Sequence, residues 1–129
     1  MKKEILRLPG VKEPDSPFNH VVKAGSLLYL TSQLSCDLST GEIIPGDIAT
    51  QTANALENIK HLLEGANSSM GNITKVVIYM RDVSQFQEMN RIYGRYFGKG
   101  QEPARVTIQA ASPIGGIDIE IEVTALTNE

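Results

Sequence analysis

The sequence predicts an α+β fold: one domain over residues 1–129, a mixed β-sheet with two helices packed on one face. Three observations predict it. Residues 48–66 and 85–97 carry apolar side chains at helical spacing. The run "ITKVVIYMRDV" is β-branched and long enough for a central strand. The final run "IDIEIEVTAL" alternates strictly between apolar and polar residues. At 129 residues, with no internal repeat, low-complexity tract or linker, the chain has the size of a single domain.

Taken in order, "HVVKAGSLLYLTSQL" reads as two short strands turning at Ala24-Gly25, where Gly25 supplies the backbone freedom. The loop "CDLSTGEIIPGD" follows, punctuated by Gly41, Pro45 and Gly46. Asp47 stands where a helix N-cap belongs. Ile48, Thr52, Leu56, Ile59, Leu62, Leu63 and Ala66 form the apolar stripe of the first helix, and "GANSSMGN" ends it. Gln51, Asn54, Glu57, Asn58 and Lys60 fall mostly on its other faces. The strand "ITKVVIYMRDV" comes next. A second helix is expected from Ser84, with Gln87 completing a capping box, a stripe of Phe86, Met89, Tyr93, Tyr96 and Phe97, and Gly98 as its stop. The strand of Arg105, the turn "SPIGG" and the last strand complete a β-β-α-β-α-β-β order. A strand, one helix and another strand give parallel neighbours by right-handed crossover.

Composition narrows the function. Hydrophobic content of 41% and charged content of 21% are those of a globular domain. A formal net charge of −3 provides no basic field for a phosphate backbone, so nucleic acid is not an expected partner. The single cysteine, Cys36, excludes an internal disulfide and fits a reducing compartment. It has no neighbouring lysine or arginine to stabilise a thiolate and reads as a loop residue. The start "MKKEILRLPG" has no signal-peptide apolar run, and no stretch approaches the ~20 apolar residues of a membrane span. A soluble, cytoplasmic protein without membrane contact is expected.

In the last strand Ile117, Ile119, Ile121 and Val123 share one face; Asp118, Glu120, Glu122 and Thr124 share the other. Helices on the Ile/Val side leave the acidic side to water or to another subunit. Carboxylates roughly 7 Å apart along a strand repel unless solvent or a cation intervenes. Arg105, opening the strand in "EPARVTIQ" behind a proline that holds it extended, is a candidate fixed cation; its planar fork binds a carboxylate through two bonds.

The stretches "PFNHVVKAGSLLYLTSQ", "TGEIIPGDIATQTANALENIKHLLEGA", "ITKVVIYMRDVSQFQEMNRIYGRYF", "EPARVTI" and "IEIEV" together make the chain similar to the RidA/YjgF family of reactive-intermediate deaminases. The resemblance covers nearly the whole chain in order. It implies a chorismate-mutase-like fold and a homotrimer, with sheets packed into a central barrel, helices outside and ligand clefts between subunits. It further implies that Arg105 binds the carboxylate of a small 2-imino or 2-oxo acid and that Glu120 positions or activates water. Asn90 matches the family asparagine, and Thr31-Ser32-Gln33 matches a stretch whose backbone touches the ligand. The implied activity is that of a 2-iminobutanoate/2-iminopropanoate deaminase-like hydrolase. It converts 2-aminoacrylate-type enamines and imines to 2-oxo acids and ammonium, with no metal or organic cofactor.

Three positions depart from the family pattern. Phe18 stands where a tyrosine is usual, Thr107 where a cysteine commonly follows the arginine, and Ser32 where the family keeps a glycine. These substitutions leave the anchor and alter the pocket walls. They keep open a 2-oxo-acid-binding regulatory trimer with little turnover, and a deaminase of a longer unsaturated amino acid of the aminomuconate type. A nuclease role, attached to some relatives, is opposed by the acidic balance, 5% aromatic content and lack of a Lys/Arg cluster. His20 is either a proton relay or a strand-end histidine, and His61 reads as an exposed helix residue.

Overall fold

From the amino terminus the chain, seen in a computed structural model that describes residues 2–129, begins with β1 (Lys3–Leu6), β2 (Val21–Ala24) and β3 (Leu27–Leu30). Helix α1 (Ile48–Gly65), strand β4 (Ile73–Met80), helix α2 (Phe86–Tyr93), β5 (Ala104–Gln109) and β6 (Ile119–Leu126) follow. The strands form one mixed sheet in the order β1-β2-β3-β6-β4-β5. As the crossover argument requires, β4 and β5 are parallel, with Val76 opposite Arg105; β6 lies antiparallel between β3 and β4.

The β2–β3 turn is the hairpin expected at Ala24-Gly25, with Gly25 at φ +62°, a conformation that costs glycine little. Strand β1 was not expected. It pairs antiparallel with β2, Ile5 opposite Val22, and its sequence "KEIL" is too short and charged to show a period of two.

Helix α1 starts where the sequence places it: Asp47 Oδ1 accepts from the Thr50 N–H at 2.8 Å. Its polar residues do not all face water. Gln51 is buried, and Asn54 and Asn58 donate into the Leu34–Cys36 segment. Helix α2 is shorter than the 85–97 expected. Short 3₁₀ turns, Val83–Gln85 and Gly94–Tyr96, flank it, and the cap is Asp82, whose carboxylate accepts from the Ser84 N–H at 2.9 Å. Ser84 does not form the expected capping box. The chain turns extended at Phe97, before Gly98.

The two sheet faces differ sharply. Val76, Ile78 and Met80 of β4, Ile119, Ile121 and Val123 of β6, and Leu28 and Leu30 of β3 are buried in one cluster with Leu56, Ile59, Leu62 and Leu63 of α1 and Met89 and Tyr93 of α2. Register places Val77, Tyr79, Glu120 and Glu122 on the opposite face, which no helix covers. Tyr29, Val106 and Ile108 are exposed there. On it the Tyr79 hydroxyl donates to Glu122 Oε1 at 2.8 Å, and that bond chiefly raises the tyrosine pKa.

Candidate functional site

Arg105 is the second residue of β5. Its register opposite Val76 sends the side chain toward the helices, not toward the open face. There Arg105 Nη1 donates to Asn90 Oδ1 of α2 at 2.7 Å. The guanidinium carbon lies 4.8 Å from the Tyr93 ring centre and 5.5 Å from that of Phe86, both cation–π distances. Among the described residues Arg105 forms no ion pair; the pairs present are Arg7–Glu13, Lys12–Asp15 and Arg91–Glu88. A half-buried guanidinium held by one neutral amide and two rings keeps donors for an outside anion.

Two polar atoms nearby add to this. Among the described residues, the buried Tyr93 hydroxyl and Thr107 Oγ1 have no hydrogen-bond partner. Thr107 lies two residues after Arg105 and therefore on the same face of β5. Burial pushes the Tyr93 phenol pKa up to about 12, although the nearby Arg105 charge pulls it down.

The second cluster belongs to the open face. Glu120 accepts from Ser32 Oγ at Oε1 (2.5 Å) and from Ser112 Oγ at Oε2. A two-way backbone bridge brings Ser32 there: Gln33 N–H donates to the Ile121 carbonyl at 2.7 Å, and Ile121 N–H returns to Gln33 at 2.9 Å. Beside it a cavity of about 280 Å³ is lined by Phe18, His20, Thr31, Ser32, Cys36 and Ile114, among others. Phe18 is half exposed and stands edge-on to His20, ring centres 6.3 Å apart. The Gln33 side-chain amide donates to His20 Nδ1 at 3.2 Å in the tautomer that leaves this nitrogen bare. Burial lowers the His20 pKa, against a backbone hydrogen bond with Lys12 that raises it. Burial, with Asp37 second, raises that of Cys36, which matches its reading as an inert loop thiol.

The candidate residues thus fall into two groups. Arg105, Asn90 and Thr107 meet on the helix side; Glu120, Ser32, Thr31 and Phe18 meet at or beside the open face. Within one chain the cation and the carboxylate project from opposite faces of the sheet. Sequence reasoning missed Ser112, since a serine in the turn "SPIGG" carries no sign that it will reach Glu120. It read Tyr93 and Phe86 as core packing alone; Tyr93 is in the core and also carries the guanidinium, whereas Phe86 is exposed and carries it from outside the core. Among the described residues no group of three or more His, Cys, Asp or Glu is placed to hold a metal ion, and no helix is long and apolar enough to cross a membrane.

The profile of the family described as Endoribonuclease L-PSP matches residues 11–127 of this sequence. The chain belongs to the RidA/YjgF family. Among its RidA/YjgF relatives, a RutC family protein of Pyrococcus horikoshii is 39% identical over 123 residues, covering 95% of this chain and 97% of that one. The human 2-iminobutanoate/2-iminopropanoate deaminase is 32% identical over 110 residues, covering 85% and 80%. Of solved RidA/YjgF structures, E. coli TdcF with bound serine superposes with a TM-score of 0.85 at 28% identity, covering 97% of this chain and 99% of that one.

Proposed function

We propose that this RidA/YjgF protein is an enamine/imine deaminase that hydrolyses small 2-aminoacrylate-type intermediates to 2-oxo acids and ammonium in the cytoplasm. The observation that carries the reading is Arg105: a half-buried guanidinium, fixed by Asn90 and two aromatic rings, with no carboxylate partner among the described residues. Relatives named 2-iminobutanoate/2-iminopropanoate deaminase support it. So does the serine-bound TdcF neighbour, whose ligand is a small amino acid.

In this reading the protein acts as a homotrimer, and each cleft joins the Arg105 group of one subunit to the partner subunit's Glu120 and its cavity. Arg105 binds the substrate carboxylate, and Asn90 holds the guanidinium plane. The backbone at Thr31-Ser32, the Phe18 ring and Thr107 wall the reacting end. The enamine takes a proton at its terminal carbon to become an imine. Water held by Glu120 adds to the C=N carbon, and the carbinolamine collapses with loss of ammonia to the 2-oxo acid. Anchoring, a held water and a proton route suffice for this sequence of steps.

A coupled assay tests it. Threonine or serine dehydratase generates the enamine, and 2-oxo acid release is followed with wild type and Arg105→Ala. Acceleration by wild type, reduced on the order of 10²-fold in the variant, is expected from loss of a charge-assisted anchor. No acceleration by wild type overturns the reading. A binding-only trimer is favoured by one observation: Phe18 brings a ring but no hydroxyl to the cavity. It predicts 2-oxo acid affinity, lost in Arg105→Ala, without rate enhancement. An aminomuconate-type deaminase predicts turnover of long substrates but not short ones. A nuclease function fits poorly with Glu120 and Glu122 on the open face and a net charge of −3.

A further inference from the structure

We infer that Ser32 and Ser112 are positioning residues that lock the Glu120 carboxylate through both of its oxygens. The inference rests on the reading of Glu120 as the group that holds the attacking water.

Asp118, just before β6, and Glu120 and Glu122 within it have different neutral partners. Asp118 Oδ2 accepts from the buried Gln51 amide at 3.2 Å, and Glu122 from the Tyr79 phenol. Glu120 alone is held by two hydroxyls, one on each oxygen, and one of those serines lines the cavity. No cation pairs with Glu120 among the described residues. An unrestrained glutamate on an open sheet face samples several rotamers. With both oxygens tied, Glu120 presents one set of remaining lone pairs, and a water donating to them has a defined place.

Each serine is itself braced. The Ser112 oxygen accepts from the Ile114 N–H at 3.0 Å, which leaves its single proton for Glu120. The same loop is tied down further along: Gln51 Nε2 donates to the Gly116 carbonyl at 3.3 Å, and Gln51 Oε1 accepts from the Asp118 N–H at 2.8 Å. Ser32 is fixed by the backbone bridge of its neighbour Gln33 to Ile121. The serine that replaces the glycine usual in the family thereby turns its extra atom to the carboxylate. A group reached from two loops, each anchored independently, has the geometry of a pre-organised site.

The test uses the full chain in the coupled assay, with Ser112→Ala, Ser112→Thr, Glu120→Gln and the Ser112→Ala/Glu120→Gln double variant. Ser112 carries the weight because Ser32 also faces the substrate. The expected result is a kcat about 10-fold lower for Ser112→Ala at unchanged KM, restored toward wild type by Ser112→Thr, which keeps the hydroxyl. In the Glu120→Gln background the Ser112→Ala change has no further effect, because the group it positions is gone. A crystal structure of Ser112→Ala then shows Glu120 in more than one rotamer. Wild-type kcat in Ser112→Ala, or an equal loss with and without Glu120, overturns the inference while leaving the deaminase reading intact. An inactive wild type overturns that reading, and the positioning role with it.

Discussion

Tyr93 lies beneath the Arg105 guanidinium, contributing its ring while its buried hydroxyl has no partner among the described residues. Tyr93→Phe keeps the ring and deletes the orphan. It is expected to leave stability unchanged or raise it by up to ~1 kcal/mol in urea unfolding, since an unsatisfied buried polar group is a cost. Loss of 2-oxo acid affinity in the same variant assigns that hydroxyl to the ligand. His20 supplies a pH-dependent prediction. Its folded pKa is lowered below the ordinary 6.5 by burial, so below 6.5 the unfolded chain binds the proton more readily. Stability is therefore full above 6.5 and declines as pH falls from there toward the lowered pKa. Melting temperatures between pH 7.5 and 5 are expected to fall less steeply in His20→Asn than in wild type. A parallel decline in both assigns the pH dependence to other groups.

Among the elements, α1 shows best what sequence periodicity conveys and what it leaves out. Its apolar stripe and its Asp47 cap are legible because burial imposes a 3.6-residue period and a cap needs a short acceptor side chain. Gln51 is not legible: a polar residue beside the stripe reads as solvent-facing until the loop it binds is known. In the fold its amide donates to the Gly46 and Gly116 carbonyls and to Asp118, and its oxygen accepts from the Asp118 N–H. Gln51→Ala strands these groups and is expected to cost ~2–4 kcal/mol in denaturant unfolding. A loss below ~0.5 kcal/mol contradicts that account of the loop. The same limit explains β1, whose four residues gain their strand character only by pairing with β2, and α2, whose aromatic stripe runs on past Tyr93 although the backbone tightens at Gly94. The site divides likewise. Arg105 stands out from its place at the start of a strand and Asn90 and Glu120 through family resemblance, whereas Ser112 does not, because its role depends on a loop fold that no short motif encodes.

At the scale of the whole molecule the sheet has a dry face and a bare one. Tyr29, Val106 and Ile108 are exposed on the bare side, apolar side chains of the kind that mark an interface when they gather on one face. In the trimer proposed here that surface is covered by neighbouring copies. Sedimentation equilibrium is expected to give three times the 14.1 kDa chain mass, and Ile108→Glu a monomer, since an unpaired charge at an apolar contact is costly. A wild-type monomer at micromolar concentration removes the basis for a shared cleft.

In the proposed trimer, because Arg105 and Glu120 leave the sheet on opposite sides, two impaired proteins should restore each other. Arg105→Ala subunits retain a sound carboxylate half, and Glu120→Gln subunits a sound cation half. Unfolded together and refolded, they exchange partners, and each mixed ring regains one cleft with both halves whole. Random mixing in equal amounts should then restore roughly a quarter of wild-type turnover, by the geometry of a closed three-fold ring. Joint refolding without recovery would mean that both groups serve one cleft from a single chain.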